Sequence, residues 1–187
     1  WTWITQDFNL FITRVLTTEE KEIIVDRNYW WVNQGITYAT ESDGGYICAP
    51  QISRSGSLIH HHQNVSKVKS GDIIFHNSNQ KLKAISIASG DAYETDREDR
   101  FDDNWVRESY RADTKYYQLA DPINHVNLLN NINIKCFGRK YGPFASDGSS
   151  NQGYLFHLNQ TELSTIIRNM DVEILSNDIK TIFNELK

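Results

Sequence analysis

The stretch that most constrains this chain is Tyr29, Trp30, Trp31, Val32, Asn33, Gln34 and Gly35. Three adjacent aromatics and a β-branched residue specify a short strand, and the two amides and glycine that follow end it in a polar turn. Side chains alternate along a strand, so one of Trp30 and Trp31 is expected to face the core. A flat aromatic wall beside carboxamide donors and acceptors suits a planar, hydrogen-bonding ligand such as a nucleobase.

At 187 residues the chain is long enough for one domain with a real core. No run approaches the apolar length of a membrane-spanning helix, and no signal peptide is evident. The chain begins at Trp1, as a trimmed fragment would. Cys48 and Cys136 lie far apart with no metal spacing. They fit two free thiols in a reducing cytoplasm, with a single disulfide as the other option.

The net charge of −5 argues mildly against nucleic acid as a partner, but the charges are sorted along the chain. Arg54, Lys67, Lys69, Lys81 and Lys83 fall between residues 51 and 90 against Asp72 alone, and Lys135, Arg139 and Lys140 form a second basic group. Acids gather over residues 94–103. Screening limits reach to about 8 Å at physiological salt, so local sign decides phosphate attraction.

Residues 7–25 carry a helical apolar stripe, with a break near Thr17 where Thr17 and Glu20 form a capping-box pattern. Strands are expected over residues 29–33, 46–49, 73–76, 81–89, 106–119 and 154–157, and turns over 40–45 and 77–80. Asn159 with Glu162 marks the start of a helix ending near Asn169, and Ser176 caps a last helix carrying Ile179, Ile182, Phe183 and Leu186. Strands outnumber helices and the helices sit at the ends, so the fold class is α+β, a small curved sheet or barrel with helices against it.

No nucleophile elbow, phosphate-cradling glycine loop, His-Glu-x-x-His motif or HNH-type cluster is present. His60, His61 and His62 are consecutive and so cannot point one way, and no ligand partner sits at a metal spacing. The acidic loop lacks the pattern of a calcium loop. No metal or cofactor is expected, and a binding module is favoured over an enzyme. The alternative in another class is a small enzyme acting on modified nucleosides.

The order of these segments carries a resemblance. The aromatic strand is followed by Ile47, Cys48, Ala49 and Pro50; then by Gly71 and Asp72 opening Ile73, Ile74 and Phe75; then by Ile85 to Ala88, Ala92 and Tyr93. Trp105 opens the long strand, Pro122 and Ile123 end it, and Ser150, Asn151, Gln152 and Gly153 precede the last helices. Over residues 29–170 this resembles the EVE domain of the PUA-like superfamily, a relative of the YTH domain, as found in McrB-type and EVE-HNH modification-dependent restriction proteins. The resemblance implies a PUA-like curved sheet or pseudo-barrel of about five to seven strands flanked by helices. Residues 1–28 would be a helical extension. Residues 171–187 would be a helix leading towards a missing effector nuclease or NTPase, or a packing helix of this domain.

The resemblance also implies a non-catalytic module that flips a modified base out of double-stranded DNA into an aromatic cage, with no cofactor. Trp31, Asn33, Gln34, Tyr38, Cys48, Ala49, Pro50, Tyr93, Trp105, Asn151 and Gln152 would form the base pocket. Arg54, Lys67, Lys81, Lys83, Arg139 and Lys140 would contact phosphate. Cys48 stands where relatives often carry Trp, which favours 5-methyl- or 5-hydroxymethylcytosine over N6-methyladenine. A YTH-like reader of methylated RNA is the alternative.

Overall fold

The computed structural model describes residues 27–96, 106–129, 138–171 and 175–184. The expected helix over residues 7–25, most of the acidic loop with Trp105, and Lys135 and Cys136 lie outside these. Seven strands form one mixed sheet: β1 (Tyr29–Asn33), β2 (Tyr46–Pro50), β3 (Ile73–Ser78), β4 (Lys81–Ala88), β5 (Tyr93–Asp96), β6 (Glu108–Asn124) and β7 (Leu155–His157). Among the described residues five helices flank it: α1 (Tyr38–Gly44), α2 (His60–Gln63), α3 (His125–Leu128), α4 (Gln160–Asn169) and α5 (Asn177–Asn184). The fold is α+β, a curled half-barrel in the order β2-β6-β4-β3-β1-β7, with β5 paired to β6 beside β4. Among the described strands only β1 and β3 run parallel; the other pairs are antiparallel.

The tandem tryptophans depart from expectation. Both are buried, because the sheet is covered on both faces. Trp31 joins Phe75, Leu82, Ile85 and Phe156 in a layer sealed by Leu163 and Ile166 of α4 and Ile179 and Phe183 of α5. Trp30 joins Val32, Ile47, Ile74, Ala112 and Leu155 in the layer lining the concave face. Phe183 stacks on Phe75 with centroids 5.9 Å apart. The last helix therefore packs into this core through Ile179 and Phe183.

The β3–β4 hairpin forms as the sequence predicts. Asn79 and Gln80 both have positive φ, +52° and +61°, as a two-residue hairpin turn requires. Bulges at His76/Asn77 and Leu82/Ala84 shift the alternation, so Leu82 and Ile85 share one layer. The turn expected over residues 40–45 is instead the end of α1. Gly45, at φ +68°, stops that helix with its N–H on the carbonyls of Glu41 and Ser42. At α4 the capping box is complete: Asn159 accepts from the Glu162 amide while Glu162 accepts from the Asn159 amide. No helix among the described residues is long and apolar enough to cross a membrane.

Candidate functional site

Strand β7 is an edge of the sheet, and its outward backbone groups need partners. Asn64, just after α2, donates to the Leu155 carbonyl at 2.9 Å. Arg139 donates to the His157 carbonyl. The Tyr154 amide donates to His61 Nδ1 at 2.9 Å. Covering this edge brings α2 and the loop from Gly138 onward together around a cleft of about 480 Å³.

The cleft walls are aromatic and basic. His60 and Tyr141 stack with centroids 4.3 Å apart and planes at 18°. The Lys140 ammonium lies 4.9 Å from the Tyr141 ring centroid, within cation–π range. Tyr141 is 53% exposed and adopts φ +66°, unusual for a tyrosine and imposed by the tight turn around it. His61 stacks over Phe156, at 6.0 Å. Burial, with His60 beside it, lowers the His61 pKa, so the ring is neutral and its Nδ1 accepts while Nε2 carries the proton.

Gln152 lines the cleft with an exposed side-chain amide, whereas the Asn151 amide is spent on the Gly142 carbonyl. Asn33 holds this wall. Its Oδ1 accepts from Trp31 Nε1 at 3.0 Å and Asn77 Nδ2 at 2.9 Å, and its Nδ2 donates to the carbonyls of Asn151 and Gly153, both at 3.2 Å. All four sites of the amide are used. Asn33 is therefore a clamp and not a reader of a base edge.

Trp31 is corrected likewise. Its ring is fully buried between Phe75 and Phe144 and has no face for a ligand. Gln34 lies inside the half-barrel, where Oε1 accepts from His76 Nδ1 at 2.7 Å and Nε2 donates to Glu41 and to the Tyr116 hydroxyl. Ser86 donates to His76 Nε2 at 2.7 Å, consistent with a neutral ring, since burial lowers its pKa to about 3. Burial pushes the Glu41 carboxyl up to about 8, although Gln34 and Tyr154 donate to it and oppose the shift.

Among the described residues, the remaining expected base-pocket positions do not converge on the cleft, and Trp105 lies outside the described residues. Ala49 is buried in the concave layer, and the Pro50 carbonyl meets His62 Nδ1 at 3.1 Å. The Tyr38 hydroxyl donates to Gln118, and Lys83 lies over the Tyr38 ring. Cys48 and Tyr93 flank Arg111 on adjacent strands, with the Tyr93 hydroxyl on Asp113 at 3.0 Å.

Of the expected phosphate contacts, Arg139 and Lys140 line the cleft. Arg139 is engaged by Glu162. Lys67 donates to Asn64 Oδ1 at 3.1 Å. Arg54 is exposed in a serine-rich loop, and Lys81 is exposed at the start of β4. The three histidines diverge to Tyr141, Tyr154 and Pro50. Sequence reasoning missed His60, His61 and Tyr141 as one site, and the signal available was the aromatic next to Arg139 and Lys140.

No family model matches the chain, and no curated protein matches it. Among solved structures it is similar to the YTH domain of the Zygosaccharomyces rouxii MRB1 protein, in complex with N6-methyladenosine RNA: 10% identity, TM-score 0.46, covering 77% of this chain and 86% of that one. It is also similar to the Pho92 YTH domain in complex with m6A, at 10% identity and TM-score 0.46, covering 85% and 96%. A hypothetical protein from Leishmania major matches at 8% identity and TM-score 0.47, covering 76% and 94%. At these scores the likeness bears on neither ligand nor mechanism.

Chemically, the cleft offers a ring stack to extend, an uncommitted amide and an ammonium group. Those are the contacts a nucleotide makes through its base face, base edge and phosphate.

Proposed function

We propose that this chain is a non-catalytic module that binds single-stranded nucleic acid, RNA first, and accepts a modified base. The observation that carries this reading is the exposed His60–Tyr141 stack with Lys140 over it and Gln152 alongside. A base adds one more ring to the stack, Gln152 meets its edge and Lys140 its phosphate. A single strand fits better than a duplex. The cleft is one basic edge on a chain of net charge −5, while a duplex presents two charged backbones.

The test is a binding panel at stated salt. It compares single-stranded RNA with and without N6-methyladenine, the ligand of two similar structures, and duplex DNA with 5-methyl- or 5-hydroxymethylcytosine. Binding of the RNA, weakened about tenfold or more by Tyr141→Ala, is the expected result, since stacking contributes about 1–3 kcal/mol per base. Equal binding by Tyr141→Ala and the parent overturns it. Turnover of a free modified nucleoside would point instead to an enzyme.

A second reading places the base at Cys48 and Tyr93, with Trp105 as the further wall. Their common pairing to Arg111 favours it, because it brings both to one stretch of sheet. In that case Trp105→Ala abolishes discrimination between modified and plain oligonucleotides, and Tyr141→Ala leaves it intact.

A further inference from the structure

Charge is sorted by depth around β7. The acids there, Asp72 and Glu162, are fully buried and satisfied. Asp72 accepts from Trp30 Nε1 at 2.8 Å and from the amides of Asn28 and Lys69, and Glu162 is held by Arg139. The groups facing outward beside β7 include Lys67, His157 and, across the strand, Lys140, while Asp147 is exposed further along the cleft loop. Lys67 bonds a neutral amide oxygen and Lys140 an aromatic face, so each keeps an uncompensated positive charge. Burial lowers the His157 pKa, Arg139 and Lys67 act the same way, and the buried carboxylates of Glu162 and Asp72 oppose them.

Resting on the cleft reading above, we infer that Lys67 and His157 form a second phosphate subsite outside the cleft, so that the bound strand runs from Tyr141 across Arg139 to Lys67. Residues 65–67 form a turn of 3-10 helix directly after α2. The same rigid segment therefore presents His60 to the cleft and Lys67 to the strand beyond it. Along the β7 edge Asn64, which Lys67 bonds, holds the Leu155 carbonyl, and Arg139, its charge already matched by Glu162, holds the His157 carbonyl. Lys67 reads no sequence; it fixes direction and register.

The test compares a nucleoside 5′-monophosphate with a single-stranded RNA of about eight nucleotides, each titrated over a salt series. Lys67→Gln keeps an amide donor for Asn64 and removes the charge. It is expected to lower the salt slope of the longer RNA by about 0.7 and to leave the monophosphate unchanged. Lys140→Ala is expected to weaken both ligands. Lys81→Ala, on the β3–β4 hairpin, is the control and should alter neither. If Lys67→Gln binds the longer RNA with the parent's slope while Lys140→Ala does not, the second subsite is wrong and the cleft reading stands. If Lys140→Ala and Tyr141→Ala bind both ligands like the parent, the cleft reading fails and the subsite with it.

Discussion

Arg139 grips Glu162 with two parallel hydrogen bonds, Nε to Oε1 at 2.9 Å and Nη2 to Oε2 at 2.8 Å. The carboxylate is fully buried and also closes the N-terminus of α4, so one ion pair fastens the cleft loop to a core helix. Removing the guanidinium leaves a buried charge without its partner. Arg139→Ala should cost about 3 kcal/mol in urea denaturation, the bottom of the range for buried pairs because the arginine is partly exposed. Its salt slope for RNA should stay that of the parent, since this charge is internally matched.

Stability should peak near pH 6.5. The His76 and His62 pKa values are lowered by burial to about 3 and about 4 from 6.5, so their contributions are present above pH 6.5 and lost as pH falls. The Glu41 pKa is raised by burial from 4.5 to about 8, so its contribution is present below 4.5 and lost as pH rises. Between 4.5 and 6.5 these two histidines, joined by His61 and His157 whose pKa values burial also lowers, oppose one carboxyl, and stability rises with pH. Between 6.5 and 8 the carboxyl acts alone, and stability falls by at most about 1.4 kcal/mol per unit. Glu41→Gln should flatten that alkaline limb in chemical denaturation at stepped pH.

Gly153 cannot carry a side chain. A Cβ there would sit 2.4 Å from Phe156 Cζ and 2.9 Å from the His61 ring, and φ is +151°. Gly153→Ala should therefore displace His61 and cost about 1–3 kcal/mol. Thermal denaturation reads the cost, and a shift in the His61 ring resonances reads the displacement.

The Asn33 clamp predicts an asymmetric outcome. Asn33→Asp keeps the acceptor for Trp31 and Asn77 but turns a carboxylate oxygen towards the carbonyls of Asn151 and Gly153. A loss of about 2 kcal/mol or more is expected from two lost hydrogen bonds and their replacement by repulsion. Amide exchange should speed up at Asn151, whose N–H bonds the Pro143 carbonyl, while β3 keeps its protection.

What could be read from the sequence was local. The Asn159–Glu162 capping box lies within one helical turn, and the β3–β4 hairpin follows from adjacent residues. The α1 helix was misread because Ser42, Asp43, Gly44 and Gly45 have turn composition, although here the glycines end a helix. Trp31 and Arg139 were misassigned for another reason. Their partners Phe144 and Glu162 lie far along the chain, and no spacing rule reaches that distance. The cleft was illegible for the same cause, being assembled from α2, the loop after Gly138 and β7 around an edge whose position depends on the whole sheet order.

The Tyr154 phenol accepts from the Cys48 amide on β2 at 3.0 Å and donates to Glu41 at 2.8 Å, while its own backbone leads into β7. Strands β2 and β7 are the two margins of the open sheet. One hydroxyl thus acts as the clasp of an unfinished ring, and shortening it to Phe would let the hoop gape at that seam before any strand pair parts.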